Sequence, residues 1–96
     1  MNIHFEWDES KAQANLKKHK VSFELATRVF FDPLALVYQD HIENGELRWQ
    51  TLGMVESCLV LLVAHAVQHG EIGEIIRIIS ARKADRKERK QYEENR

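Results

Sequence analysis

Apolar and polar residues alternate from Ile3 to Trp7 (Ile-His-Phe-Glu-Trp), the two-residue period of a short edge strand. Asp8 follows with a carboxylate able to accept the orphan N–H groups of a first helical turn, so a helix is expected from about Glu9 to His19. That helix is mostly polar. Ala12 and Leu16, four apart, supply its apolar contact, while Lys11, Lys17 and Lys18 face water. Ser22 offers a second N-cap, with Glu24 favourably placed near the positive end of the helix dipole. Phe23, Ala26, Val29 and Phe30 recur at helical spacing and form a buried face. Asp32-Pro33 ends this helix, because the residue before a proline is driven out of helical geometry.

From Leu34 the period changes to that of strands. Leu34 to Asp40 is one, and Glu43-Asn44-Gly45-Glu46 carries the Asn-Gly signal of a hairpin. Leu47 to Val55 alternates, with Leu47, Trp49 and Thr51 on one face and Arg48, Gln50 and Leu52 on the other. Leu59 to Val67 is almost wholly apolar and rich in branched residues, as expected of a central strand covered on both faces. Gly70 and Gly73 frame the next turn, Ile75 to Arg82 forms the last strand, and a polar helix runs from about Asp85 to Glu94. Glu88 and Tyr92, four apart, are placed to anchor that helix to the sheet or to a partner. The layout predicts an α+β fold, an antiparallel sheet with helices on one side, within one domain spanning residues 1–96.

The longest apolar run, Cys58 to Ala64, is interrupted by His65 and falls short of the roughly 18–20 residues of a membrane span. The N-terminus has neither a basic start nor an apolar stretch of signal-peptide type, and the single cysteine has no internal partner. A cytoplasmic location is expected. The net charge of −1 conceals an asymmetry: residues 1–76 hold six Lys/Arg against eleven Asp/Glu, and residues 77–96 hold eight against four. A basic cluster of this kind is either a footprint for phosphate or a solvated helix. Metal and cofactor sites are not expected. His65 and His69 straddle a strand end and a glycine turn, no second cysteine completes a thiolate set, and no Gly-rich phosphate loop occurs. Cys58 reads as a buried core thiol.

What remains is a polar set on apolar strands. Glu46, Arg48 and Trp49 open one strand, His65 lies near the end of the most apolar one, and Arg77 sits among Ile75, Ile76, Ile78 and Ile79. Ser80, Arg82 and Lys83 lie where that strand runs out. A charge in a half-buried strand is costly unless paired or solvated. Arg77 is therefore either a sheet-face arginine, paired for instance with Glu46, or a guanidinium that binds phosphate in bidentate fashion. On an ideal strand Arg77 and Arg82 point to opposite faces, and they converge only if the strand bulges or ends between them. Trp7 and Trp49 read as packing residues or as platforms for an unpaired base.

Several segments, in chain order, resemble the BrnT toxin family of bacterial type II toxin–antitoxin systems. They are Phe5-Glu6-Trp7-Asp8, Asn15-Leu16-Lys17-Lys18-His19, Val21-Ser22-Phe23-Glu24, Phe31-Asp32-Pro33-Leu34-Ala35, Glu46-Leu47-Arg48-Trp49 and Leu52-Gly53. The strongest is Arg77-Ile78-Ile79-Ser80-Ala81-Arg82-Lys83-Ala84, continuing through Arg86-Lys87-Glu88-Arg89 to Tyr92-Glu93. Lys20 stands where the family usually has glycine, and Ala66 where a threonine commonly follows His65. The resemblance implies a RelE-like fold, with N-terminal helices packed on an antiparallel β-sheet and a C-terminal helix. It also implies a ribonuclease that arrests growth until a BrnA-like antitoxin neutralises it in a dimer of heterodimers.

A metal-independent enzyme of this type uses the ribose 2′-hydroxyl as nucleophile on the adjacent phosphate. Glu46 and His65 are the candidates for its proton transfers, and Arg48, Arg77 and Arg82 for stabilising charge on phosphorus. Lys83 and His19 would be outer substrate contacts, and Trp49 would stack a base. The competing readings are a gyrase poison of the ParE type and a non-catalytic binding module with a basic C-terminal helix.

Overall fold

Two side-chain caps set the first helices. In the computed structural model, which describes residues 2–95, the Lys11 N–H donates to Asp8 Oδ1 (3.1 Å) ahead of helix α1, Glu9–His19. The Leu25 N–H donates to Ser22 Oγ (3.0 Å) ahead of α2, Phe23–Ala26. α2 passes into a 3-10 turn, Thr27–Phe31, and the chain then leaves helical geometry at Asp32. The strands are β1 (Ile3–Glu6), β2 (Leu36–Glu43), β3 (Glu46–Glu56), β4 (Leu59–Gly70) and β5 (Gly73–Lys83). A last helix, α3 (Arg86–Glu94), closes the chain behind a capping box in which Asp85 and Glu88 bond each other's backbone N–H groups.

The sheet order is β1-β5-β4-β3-β2. Strands β2 to β5 form an antiparallel meander, but β1 lies outside β5 and runs parallel to it. The sheet is therefore mixed, not antiparallel as expected. Hairpins impose antiparallel pairing only on consecutive strands, and β1 meets β5 after two helices and three intervening strands. The expectation of helices on one side also needs correction. α1, α2 and the 3-10 turn cover one face, where Val21, Phe23, Ala26 and Val29 pack on Leu61, Val63, Ile76 and Ile78. α3 covers part of the other, where Tyr92 packs on Leu52, Val60 and Leu62. Alternate residues of β4 enter the two cores, so both faces of this central strand need cover.

Three positions show how closely the helix layer is fitted. Gly53 faces the 3-10 turn so tightly that a Cβ there would lie 3.0 Å from Val29 Cβ and 3.1 Å from Val29 O. Asn15, not Leu16, is the inward residue beside Ala12: Leu16 is 48% exposed, while the Asn15 amide bonds Val21 and Ala81 inside the protein. Asp32 ties three parts together, since its carboxylate accepts from Leu34 N–H (2.9 Å), Met54 N–H (2.8 Å) and Tyr92 OH (2.5 Å). Asn44 and Gly45, at φ 53° and 77°, make the tight β2–β3 turn that Asn-Gly signals. Cys58 corrects another expectation. It sits exposed in the β3–β4 turn at φ 68°, outside the apolar run that follows.

Candidate active site

The site is assembled by an irregularity in β5. Its ladder with β4 pairs Ala64 with Ser80 and His65 with Ile78, leaving Ile79 as an extra residue. A bulge of this kind reverses the alternation beyond it. Ile76, Ile78 and Ala81 consequently all enter the helix-side core, and Arg77 and Arg82 come to share the face on which α3 packs. Arg48 joins them from β3, on the same parity as Leu52 of the α3-side core. Between β3 and β5, β4 presents only Ala64 and Ala66 opposite Ser80 and Arg77. These short side chains leave room for arginines from the flanking strands to reach one another's partners across β4.

Carboxylates hold all three arginines. Arg77 Nη2 donates to Glu46 Oε1, and Arg48 Nε lies 3.3 Å from the same oxygen. Arg48 Nη2 is 3.4 Å from Glu43 Oε2, and the Arg48 side chain is only 16% exposed. Arg82 makes a fork with Glu88, at 2.8 and 2.9 Å. Those bonds raise the Arg82 pKa and hold the Glu88 carboxyl below the usual range. Glu88 also accepts the Asp85 N–H, so one carboxylate both caps α3 and orients Arg82. Each guanidinium has five N–H donors, more than these contacts use. Tyr38 lies on the same face. Its hydroxyl is occluded and has no hydrogen-bond partner among the described residues; burial, and then the Glu88 charge, raise its pKa and keep it protonated near neutrality.

Glu43, Glu88 and Tyr38 were not among the candidates read from the sequence. The Asp85/Glu88 spacing is a legible capping box, but its bond to Arg82 is tertiary, and Tyr38 carries no signal beyond being an aromatic in a strand. Four sequence candidates are not brought to this face. Trp49 and His65 form a cross-strand pair on the opposite, helix-side face. His65 is 3% exposed, its ring edge-on to Phe30 at 4.8 Å, and its Nε2 shares a 2.7 Å hydrogen bond with Thr51 Oγ1. His19 closes α1 on that side of the sheet, and Lys83, paired with Leu61, follows the helix-side parity beyond the bulge. A cavity of about 660 Å³ lies elsewhere, between Phe31, Leu34, Glu56 and Tyr92. No group of three or more His, Cys, Asp or Glu among the described residues is arranged to hold a metal ion.

The family model for BrnT, the ribonuclease toxin of type II toxin–antitoxin systems, matches residues 7–88. The chain belongs to the BrnT family. Its fold is similar to that of the Brucella abortus ribonuclease toxin BrnT, known from a crystal structure, with a TM-score of 0.68 at 23% identity. That likeness covers 88% of this chain and all of the other. No curated protein sequence matches. Two departures from the BrnT pattern have a place in the geometry. Lys20 occupies the left-handed C-cap of α1, at φ 61°, a conformation that glycine adopts freely. Ala66 pairs directly with Arg77 on the arginine face.

The burial of His65 makes the stability of this chain pH-dependent. Desolvation lowers its pKa from 6.5 to about 4 in the folded chain. The unfolded state therefore binds the proton more tightly, and stability falls as pH drops from 6.5 towards 4, by up to about 3 kcal/mol from this group. Urea unfolding at a series of pH values checks this. The slope in that window should flatten in His65→Leu, and an equal slope in the variant would refute the assignment.

Proposed function

We propose that this BrnT-family chain is a RelE-like, metal-independent endoribonuclease that cuts RNA at the arginine-lined face and arrests growth in the cytoplasm. A BrnA-like antitoxin neutralises it in a dimer of heterodimers. The observation that carries the reading is the Ile79 bulge, which brings Arg77 and Arg82 to one face, where Arg48 joins them from β3 and Glu46 lies between Arg77 and Arg48. Alongside, α3 exposes Arg86, Lys87 and Lys90, cations suited to sequence-independent contacts with RNA phosphates.

In this mechanism the scissile phosphate takes N–H donors of Arg77 and Arg48 and displaces part of their contact with Glu46. The freed Glu46 carboxylate accepts the proton of the ribose 2′-hydroxyl as that oxygen attacks phosphorus. The bond from phosphorus to the 5′-oxygen breaks, and that oxygen takes its proton from solvent. The products are a 2′,3′-cyclic phosphate and a 5′-hydroxyl end. Arg82, oriented by Glu88, stabilises the charge that builds on the phosphoryl oxygens. His65 has no part in this scheme, since it is buried on the far side of the sheet.

Purified protein incubated with a defined RNA in EDTA tests the reading. Cleavage to a cyclic-phosphate end, suppressed by the antitoxin, is the expected result. Intact RNA from demonstrably folded protein, with or without added magnesium, would overturn it.

A further inference from the structure

The helix layer leaves one end of its own face bare. Among the described residues, those of β2, β3 and β4 line a cavity of about 370 Å³ there, with Leu47, Trp49 and Val67 in its walls. At its margin β2 exposes Val37 (59%) and, further along, Ile42 (70%). Apolar side chains so exposed beside a cavity mark an interaction surface.

Charge indicates what fits it. The antiparallel meander brings the β2–β3 and β4–β5 turns to the same end of the sheet, and those turns carry Glu43, Glu46, Glu71 and Glu74, with Asp40 nearby. The arginines closest in register, Arg48 and Arg77, are already held by Glu43 and Glu46. Glu46 lines the cavity, Glu74 follows the helix-side parity opposite His69, and Glu71 stands in the adjoining turn, whereas Glu43 and Asp40 bond Arg48 and Gln50 on the arginine face. This end of the cavity is therefore acidic, which disfavours RNA and also a second copy of the same surface. Added strands are disfavoured as well. β2 is the sheet edge, but its register shifts between Gln39 and Ile42, and Asp40 and His41 crowd that step with charge.

We propose that this face receives an amphipathic helix of the antitoxin, its large apolar side chains entering the cavity over Trp49 and its flanking Lys or Arg side chains meeting Glu46, Glu71 and Glu74. The proposal rests on the antitoxin partnership in the reading above. Glu46 belongs both to this cavity and to the arginine cluster, so a cation of the partner that engages Glu46 competes with Arg77 and Arg48 for it. Docking on one face of the sheet thereby reaches the chemistry on the other.

Calorimetric titration of the cognate antitoxin into Val37→Lys and Ile42→Lys tests this, with Leu34→Lys, at the distant cavity, as control. Val37→Lys and Ile42→Lys should each weaken binding by about tenfold or more, with Leu34→Lys close to wild type. In a Trp7→Phe background, Trp49 fluorescence should change on binding. Wild-type affinity in both β2 variants, or a loss confined to Leu34→Lys, would overturn the proposal. So would β2 variants that lose only self-association or only RNA binding. Antitoxin binding lost in the β2 variants of a protein that leaves RNA intact would support the docking face and remove the ribonuclease reading. RNA cleavage with unaltered antitoxin affinity in those variants would do the reverse.

Discussion

Arg77→Ala is expected to slow RNA cleavage by about 10²–10³-fold, the usual cost of deleting one preorganised donor to a developing oxyanion. The protein should stay folded. Arg77 and Glu46 are both partly solvated, at 35% and 27% side-chain exposure, and Glu46 retains Arg48 as a neighbour. Loss of such a pair costs about 1 kcal/mol or less. Arg77→Lys keeps the charge but not the planar fork, so most of the defect should remain. Single-turnover cleavage of a defined oligonucleotide, with thermal melting as the folding control, separates the two effects. A folded Arg77→Ala protein that cuts at the wild-type rate would remove Arg77 from the mechanism. Arg82→Ala is a less selective test, because it also releases Glu88 from its fork beside the α3 cap.

The largest loss of stability is expected from Asn15→Leu. β1 pairs with β5 only as far as Arg77, so among the described residues no strand lies beside the outer edge of β5 beyond that point. The Asn15 side chain stands in for one. Its Oδ1 accepts the Ala81 N–H (3.1 Å), and its Nδ2 donates to Ala81 O (2.8 Å) and Val21 O (3.0 Å). Leucine leaves three backbone groups buried without these partners, at about 1–3 kcal/mol each, so a total of about 3 kcal/mol or more is expected. Urea denaturation should show a lower midpoint at unchanged slope. A loss below about 1 kcal/mol would show that water or a shifted backbone replaces the amide.

Elements with a local cause were legible in the sequence. α1 keeps its expected ends because Asp8 caps it, the β2–β3 turn falls on Asn-Gly, and β4 is central because both of its faces are apolar. Features decided by distant parts of the chain were not. Nothing near Ile3–Glu6 reveals that β1 pairs in parallel with β5, and nothing in α3 tells which face it covers. The bulge was hidden for a different reason. In Ile75-Ile76-Arg77-Ile78-Ile79 both parities are apolar, so the pattern does not say which residue is the extra one. The same ambiguity placed His65 with the arginines: a histidine in an apolar strand reads equally as a catalytic base or as a core residue. Only the pairing with Trp49 assigns its face.

The pairing of residues 3–6 with 74–77 also bears on the order in which the proposed site comes together during synthesis. β1 is synthesised before β2, β3 and β4, and its partner strand β5 only after them, so the sheet closes late. β5 carries Arg77 and Arg82 as well. A polypeptide interrupted before β5 has neither a closed sheet nor that arginine pair. Under the proposed mechanism, a chain interrupted before β5 is therefore expected to leave RNA intact, and cleavage begins only once β5 has paired.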